Sequence, residues 1–369
     1  MPPEPIYVTR PALPPIDEYI AELRDIWEAK YLTNAGPKHQ AFARRLAAYL
    51  QVPHVALFAN GHLALECALQ TLGITGEVIT TPFTFASTTL AIVRSQATPV
   101  FCDIDPVTYV LDPDRIEERI TERTQAILPV HVYGNLCDDK RINDIARRHG
   151  LKVIYDAAHA LGISRNGVPV GSLGDVSMFS LHATKVFNSI EGGVLAFNDE
   201  QLVRRFNAWR QFGQLGSDNV ESIGTNAKLT EFAAAMGLCN LRYIDDSIAL
   251  REQVTKRYRR HLSGVPGLTL TQPAPGVRHN YPYFPVLFDP ATFGRSRDDV
   301  AATLARHDIF ARRYFHPLTS QCTVFDDLYP IAETPVAASV AEQVLTLPLY
   351  ADLALDEVDR ICELILSTR

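Results

Sequence analysis

Short apolar runs recur through residues 55–197, and each is followed by a turn and then by a segment with helical periodicity. Examples are residues 55–59, 78–80, 153–155 and 176–179. Each run is apolar along its whole length rather than at alternate residues, which is typical of strands buried on both faces. The alternation of such strands with helices predicts an α/β protein in which a mostly parallel sheet lies between two layers of helices.

Charge and composition argue against several classes of protein. The chain has 369 residues, with 35 Lys and Arg against 42 Asp and Glu, and a formal net charge of −7, which argues against general nucleic-acid binding. It contains no run of ~18 apolar residues and no basic-then-apolar signal pattern at its N-terminus, so we expect a cytoplasmic protein without a membrane span. The six cysteines include no CxxC pair, so we expect reduced core cysteines and neither a disulfide framework nor a metal site.

The periodic patterns predict two domains. A large domain spans residues 1–250 and includes a helical N-terminal segment at 16–30. A smaller C-terminal α/β domain spans residues 251–369 and contains a strand at 283–288. Within the large domain, the polar residues 115–125 are predicted to form a helix.

Lys185 stands between two of the apolar runs, at residues 176–179 and 194–197. A lysine between two buried strands needs a partner or a chemical use, because an unpaired buried ammonium is costly. One use is a Schiff base with a carbonyl cofactor, since burial lowers a lysine pKa and frees the amine as a nucleophile. The alternative is an ordinary solvated loop lysine, and the neighbouring strand ends help to decide between the two.

Polar and aromatic groups follow the ends of the predicted strands, where the active residues of such sheets gather. Pyridoxal phosphate needs a lysine, an anion for its ring nitrogen, a flat group against its ring and donors for its phosphate. Asp156 ends a buried strand and suits the ring nitrogen, with a helix N-cap as the alternative. Phe85 suits the ring face unless it is a core residue. The backbone N–H groups of Gly61 and His62, at the positive end of a helix, suit the phosphate together with the Ser180 hydroxyl.

A series of sequence blocks points to a known family. In order, the blocks are YLTNAGP, FANGHLALECAL, TTPFTFASTTLAI, PVFCDIDPVTYVLDP, VYGN, IYDAAHALG, FSLHATKVFNSIEGG, GTNAKLTEFAAAMGL and LTLPLY. Over almost its whole length the chain resembles the sugar-nucleotide aminotransferases of the DegT/DnrJ/EryC1/StrS family. The resemblance implies the three-layer fold of type I pyridoxal-phosphate-dependent transferases. It also implies pyridoxal 5'-phosphate as the cofactor, with pyridoxamine 5'-phosphate formed in the half-reaction.

The resemblance implies roles residue by residue. Lys185 matches the Schiff-base lysine, and Asp156 matches the partner of the pyridine nitrogen. Phe85 falls at the ring-stacking position and Ser180 at the phosphate-binding serine. His159 matches a position beside the cofactor ring, with a hydrogen-bonded core histidine as the alternative.

The resemblance also implies a homodimer with shared sites. Asn226 matches an asparagine that in relatives reaches the phosphate of the neighbouring subunit. Two positions depart from the family pattern. Relatives commonly have Gly-Thr where this chain has Gly61 and His62, which removes a hydroxyl contact to the phosphate, and many have Arg at the place of Lys228. At the lysine position the chain follows the family pattern with Lys185. Some relatives have histidine at this position and dehydrate sugars, so the presence of the lysine favours transamination.

The implied activity is transfer of an amino group from glutamate to a keto group of a nucleotide-linked deoxysugar. The HATK form of the lysine block favours amination at C4 of a dTDP-4-keto-6-deoxyhexose, and amination at C3 is the alternative. The candidate substrate contacts, each of which also has a structural alternative, are Thr33, Asn34, His182, Lys228, Arg313, Tyr314, Phe315 and His316.

Two other classes of protein are weighed against this one. A non-catalytic regulator that binds the cofactor or a sugar nucleotide is expected to have lost Lys185 or Asp156, and both are present. A Rossmann-type nicotinamide enzyme needs a GxGxxG turn after its first strand, and residues 60–63 do not supply one.

Overall fold

A computed structural model describes residues 4–214, 216, 219–325, 329 and 332–369. Its helices, α1 to α12 in chain order, are Ile16–Ala29, Pro37–Leu50, Gly61–Thr71, Ala86–Arg94, Asp139–His149, Gln201–Trp209, Glu231–Asn240, Ile244–Leu262, Pro290–Phe293, Arg297–Ala305, Pro335–Gln343 and Leu355–Leu366. Its strands, β1 to β15, are Ile6–Tyr7, His54–Phe58, Glu77–Thr80, Thr98–Phe101, Thr124–Leu128, Lys152–Asp156, Ser164–Arg165, Val168–Pro169, Val176–Ser180, Gly193–Phe197, Leu268–Leu270, Val277–Arg278, Phe284–Phe288, Ile309–Phe310 and Val344–Leu347.

The central sheet has seven strands in the order β2-β10-β9-β6-β5-β3-β4. Strand β10 is antiparallel to both of its neighbours, and the remaining neighbouring pairs are parallel. The prediction of a mostly parallel sheet is therefore confirmed. Because β2, β3, β6 and β9 run in one direction, the residues that follow them meet at the same edge of the sheet.

Successive residues of the central strands face two different cores. In β6, Ile154 packs with α3, α4 and α6 on one side, whereas Val153 and Tyr155 pack with α5 on the other. In β10, Leu195 belongs to the first core, and Val194 packs with α2 and α7 on the opposite side. Burial on both faces explains why these strands are apolar along their whole length. The three-layer α/β architecture is as the sequence predicts.

A further core lies in the C-terminal part. It is formed by α8, α10 and α12 with the three-stranded sheet β11-β13-β15. Strand β1 pairs in parallel with β14, and Ile6 packs into this core, so a segment near the N-terminus packs with the C-terminal part. Conversely, Tyr283 and Phe315 from the C-terminal part pack into the core that β6 forms with α5. Helix α8 runs through residue 250, and the division at that residue stays a prediction.

The predicted helix at residues 115–125 is wrong. The structure has two short 3-10 turns there, at Pro113–Arg115 and Glu117–Arg119, and β5 begins at Thr124. The Thr124 side chain accepts a hydrogen bond from the Thr121 backbone N–H at 2.9 Å. Such local bonds from threonine compete with helical hydrogen bonds, and the periodic pattern does not register them.

The glycines and polar residues of segment 213–229 predict a long loop between α6 and α7. Within this segment, Leu215, Ser217 and Asp218 lie outside the described residues. Among the helices of the described ranges, none combines the length and the apolar character needed to cross a bilayer.

Helix α2 is held at its N-terminus by a side chain from another helix. The buried carboxylate of Glu231, at the start of α7, accepts the backbone N–H groups of Lys38 at 2.7 Å and His39 at 3.0 Å. These are among the first N–H groups of α2, which have no acceptor inside the helix. Glu231 therefore joins α2 to α7 on one face of the sheet.

Glu231→Ala should lower the free energy of unfolding by about 2–3 kcal/mol, because two N–H groups lose their buried acceptor. Chemical denaturation at a fixed protein concentration measures the loss. Glu118→Ala removes an exposed ion pair with Arg115 and serves as the matched control, with an expected change below about 0.5 kcal/mol. Equal losses in the two variants would contradict a capping role for Glu231.

Candidate active site

The turn between β2 and α3 is built for close approach to the sheet. Asn60 is the N-cap of α3, and its side chain accepts the Leu63 N–H at 2.9 Å. A Cβ on Gly61 would lie 3.0 Å from the Met178 sulfur of β9, and a Cβ on Gly193 would lie 2.3 Å from the Asn60 carbonyl oxygen. The N-terminus of α3 is therefore fixed against β9 and β10, with its first N–H groups free of helical partners.

A cavity of about 320 Å³ opens at this edge of the sheet. Most of the predicted site residues line it: Gly61, His62, Phe85, Asp156, His159, Ser180, His182, Lys185 and Tyr314. They come from segments spread over more than half of the chain and meet because the parallel strands end together. The cavity therefore brings the amine, the carboxylate and the start of α3 into one place.

The other predicted site residues do not line this cavity in the single chain: Thr33, Asn34, Asn226, Lys228, Arg313 and His316. Arg313 pairs instead with Asp298, with 2.7 Å between Nε and Oδ1. His316 Nε2 lies 3.1 Å from a carboxylate oxygen of Glu342. Lys228 Nζ lies 4.9 Å from the centre of the Phe212 ring. The roles of these residues stay predictions.

Phe315, from the predicted run of substrate contacts, also lines the cavity. The structure adds lining residues that the sequence reasoning missed: Thr84, Ser87, Thr88, Glu191 and Tyr283. Thr84, Ser87 and Thr88 could have been found from the sequence, because they closely follow the predicted strand at residues 78–80. Tyr283 had no such signal, since it reaches the cavity from the C-terminal part through packing. The rings of Tyr283 and Phe315 contact His159, which stacks on Phe315 with 6.0 Å between ring centres.

Asp156 ends β6 and is buried, with 5% of its surface exposed. One carboxylate oxygen accepts the Thr88 hydroxyl at 2.7 Å, and the other accepts the Ala158 N–H at 3.0 Å. Burial raises the pKa of Asp156 above its usual value, while the two hydrogen bonds and the Lys185 charge act in the opposite direction. The carboxylate thus has a fixed orientation and faces a site where a cation would favour its charged form.

Lys185 lies in the loop between β9 and β10, where its N–H donates to the His182 carbonyl oxygen at 2.9 Å. Its Nζ is 5.9 Å from the centre of the Tyr283 ring. Burial lowers the pKa of Lys185 to about 8, against the charges of Asp156 and Tyr314, which favour the ammonium. A substantial fraction of this amine is therefore neutral, and nucleophilic, at ordinary pH.

His159 is a buried ring with a defined tautomer. Its Nδ1 accepts the Tyr133 backbone N–H at 3.2 Å, so the ring hydrogen is on Nε2. Burial and the Lys185 charge keep the pKa of His159 well below its usual value. His159 is therefore a neutral hydrogen-bond donor beside the lysine.

The residues present fit pyridoxal phosphate. The cavity holds a nucleophilic amine, a buried carboxylate, and the N-terminus of α3 with unpaired N–H groups. The Phe85 ring in its wall is 62% exposed, which leaves a flat apolar face open to an aromatic ligand. These are the groups that an aldehyde, a pyridinium nitrogen, a phosphate and a ring face require.

Comparison with known proteins gives the family. The model of the DegT/DnrJ/EryC1/StrS aminotransferase family matches residues 16–366. The chain belongs to this family. It is 42% identical over 365 residues to a Shigella dysenteriae protein named dTDP-4-amino-4,6-dideoxy-D-glucose transaminase, which covers 99% of this chain and 98% of the relative.

Solved structures agree in fold and in sequence. A structure of DesI in the presence of its TDP-sugar product has a TM-score of 0.95 and 35% identity, covering 99% of this chain and 93% of that one. A putative sugar aminotransferase of Streptococcus pneumoniae, Spr1654, has been solved in a PLP form with a TM-score of 0.91 and 27% identity, covering 98% of both chains. The same protein has been solved in a PMP form. The type I aminotransferase fold is thus established for this chain.

In the cofactor-free protein, the Lys185 amine should react with an acylating reagent with a midpoint near pH 8, because burial lowers its pKa. Asp156→Asn removes a charge that favours the ammonium, so the midpoint should move to lower pH. Competitive labelling between pH 6 and 11, read by peptide mass spectrometry, measures both midpoints, with exposed lysines of the same digest as the reference. A wild-type midpoint above pH 10, or an upward shift in the variant, would contradict this environment.

Proposed function

We propose that this protein is a pyridoxal-phosphate-dependent aminotransferase that moves an amino group from glutamate to C4 of a dTDP-4-keto-6-deoxyhexose. The observation that carries the proposal is the meeting of Lys185 and Asp156 in one cavity at the carboxyl edge of the sheet. The C4 position and the dTDP-sugar are supported by the names of the Shigella relative and of the DesI structure.

A residue of the cavity is available to bind each functional group of the cofactor. Lys185 is the residue that would bind it covalently, and Asp156 would face the ring nitrogen. Phe85 would cover one face of the ring, and His159 would lie beside it. The phosphate would bind at the start of α3, near Gly61 and Ser180. Pyridoxal phosphate supplies an aldehyde and a ring that accepts electrons when it is bound.

Lys185 has a second task once its amine is free. Its Nζ would take the proton from the α-carbon of the amino donor and later give a proton back, as general base and then general acid. In the cofactor-free cavity the pKa of this amine is about 8, so its neutral and charged forms are both accessible near neutral pH, as proton transfer in both directions requires. Asp156 would keep its negative charge opposite the ring nitrogen, supported by Thr88 and the Ala158 N–H.

The sugar would bind at the open side of the cavity. His182 and Tyr314 line this cavity and are the substrate contacts that the single chain supports directly. His182 Nδ1 lies 2.8 Å from the Thr184 hydroxyl oxygen, and its Nε2 lies 3.5 Å from a carboxylate oxygen of Glu191, which also lines the cavity. Thr33, Asn34, Lys228, Arg313 and His316 remain proposed contacts for the sugar or its diphosphate.

The site would be completed by a second copy of the chain. Asn226 does not line its own cavity. It lies in a loop that exposes apolar side chains: Phe212, Val220 and Ile223 are 51%, 60% and 90% exposed. An exposed apolar loop of this kind suits an interface between subunits. The homodimer would thus bring the partner subunit's Asn226 to the phosphate.

Lys185→Ala should remove the visible absorbance of the covalently bound cofactor and all turnover, whereas Lys140→Ala, at an exposed surface lysine, should change neither. With the wild-type protein and glutamate, a dTDP-4-keto-6-deoxyhexose should give a product with its new amine at C4, read by mass and by NMR. Retention of the absorbance in Lys185→Ala would contradict the assignment of the lysine. Amination of a 3-keto sugar in preference to the 4-keto sugar would establish the C3 alternative.

Complementation tests the shared site. Lys185→Ala and Asn226→Ala homodimers should each be inactive or weak, but a mixture refolded together should regain about a quarter of the wild-type activity. A random mixture contains half heterodimers, and one of the two sites in each would have both residues intact. If each subunit used its own Asn226, every site in the mixture would carry a lesion and no activity would return.

A further inference from the structure

The His62 side chain is engaged on both sides of its ring. His62 is the second residue of α3, and its Nδ1 lies 3.0 Å from the Ser87 hydroxyl oxygen. Its Nε2 lies 2.9 Å from a carboxylate oxygen of Glu66, one turn further along α3. The ring therefore has no nitrogen left for a ligand. The group it offers to the cavity is the Ser87 hydroxyl, because Ser87 is the second residue of α4 and lines the same wall.

Glu66 fixes the hydrogen on one ring nitrogen. Its carboxylate is buried, with 4% of the residue exposed, and it also binds Arg94 from α4. Burial acts to raise the pKa of Glu66, but the hydrogen bonds from His62 and Arg94 outweigh it and leave the pKa below its usual value. An ionised carboxylate only accepts hydrogen bonds, so Nε2 of His62 must carry a hydrogen.

The protonation of Nδ1 then decides what Ser87 can do. In a neutral ring Nδ1 is an acceptor, so Ser87 must donate its hydroxyl hydrogen to His62 and can present only lone pairs to the cavity. In a charged ring Nδ1 donates to the Ser87 oxygen, and the hydroxyl hydrogen is free for an acceptor in the cavity. An anion at this place is repelled by the first arrangement and bound by the second.

We propose that Ser87 is a ligand of the cofactor's phosphate and that His62 is its positioning residue, so that phosphate binding takes up one proton at Nδ1 of His62. The inference rests on the proposed function and adds to it. The hydroxyl that binds the phosphate would thus come from Ser87 of α4, and His62 would position it. His62 stands where relatives commonly have a threonine. The atoms balance with one proton from solvent and no other reactant.

The surroundings of His62 contain charges of both signs. They are the Glu66 carboxylate on its own helix, the Arg94 guanidinium on α4, and the positive N-terminal end of α3. The other titratable groups of the cavity are Asp156 and His159 after β6, His182, Lys185 and Glu191 between β9 and β10, and Tyr283 and Tyr314. These groups face pyridoxal and pyridoxal phosphate alike, so a comparison of the two ligands isolates the phosphate end.

The test compares pyridoxal phosphate with pyridoxal, which lacks the phosphate, on the cofactor-free full chain. Affinities are measured by absorbance titration between pH 6 and 8.5, and proton uptake by calorimetry in two buffers of different ionisation enthalpy. For the wild type, the affinity ratio of the two ligands should fall as pH rises, relative to His62→Gln, by up to about tenfold per pH unit. The ionisation of the phosphate itself is common to both proteins and cancels in this comparison.

The variants separate the two roles. In His62→Gln, the amide can donate to Ser87 at every pH. The proton uptake of pyridoxal phosphate in excess of that of pyridoxal should therefore be smaller than in the wild type, by up to about one proton, while pyridoxal phosphate still binds. Ser87→Ala should weaken pyridoxal phosphate about tenfold or more, leave pyridoxal unchanged and lower the excess proton uptake by the same amount. An unchanged affinity in Ser87→Ala, or the wild-type excess in His62→Gln, overturns the inference. If the wild type binds neither ligand, the proposed function itself is wrong.

Discussion

The Lys185 amine and the Asp156 carboxylate, whose charged forms are opposite in sign, line one partly enclosed cavity. The surrounding structure holds both groups there. Burial favours the neutral form of each, which lowers the pKa of Lys185 to about 8 and raises that of Asp156. Each charge in turn favours the charged form of the other. The balance leaves an amine that can act as a nucleophile and a base, beside a carboxylate whose two oxygens are both hydrogen-bonded. A surface lysine and a surface aspartate would not have these properties.

The order of strands in the sheet makes this meeting possible. Asp156 ends β6 and Ser180 ends β9, and these strands are parallel neighbours in which Asp156 is paired with Met178. Strand β10 returns beside them, and its first residue, Gly193, has no room for a side chain against Asn60. The start of α3 can therefore sit directly beside β9. The first N–H groups of α3 and the loop that carries Lys185 come together because the backbone packs this closely.

The central sheet was predictable because its signal is local. A strand buried on both faces needs apolar residues in succession, and such runs are visible without knowledge of the fold. The segment 115–125 shows the limit of this approach. Its periodicity indicated a helix, but side-chain hydrogen bonds such as that of Thr124 and the start of β5 decided otherwise. Tyr283 was missed for a different reason, since only packing between distant parts of the chain brings it to the cavity.

The sequence by itself determined the α/β alternation, the strand ends, and the presence of a lysine and an aspartate at two of them. These features follow from local patterns of apolar and polar residues. Only the tertiary structure decided which side chains face the cavity and with which partners. The His62 side chain contacts Glu66 and Ser87, and the Arg313 side chain contacts Asp298, and neither set of partners is visible in the sequence. The physical reason is that hydrogen bonding and burial are set by neighbours far apart in the chain, whose approach no local pattern records.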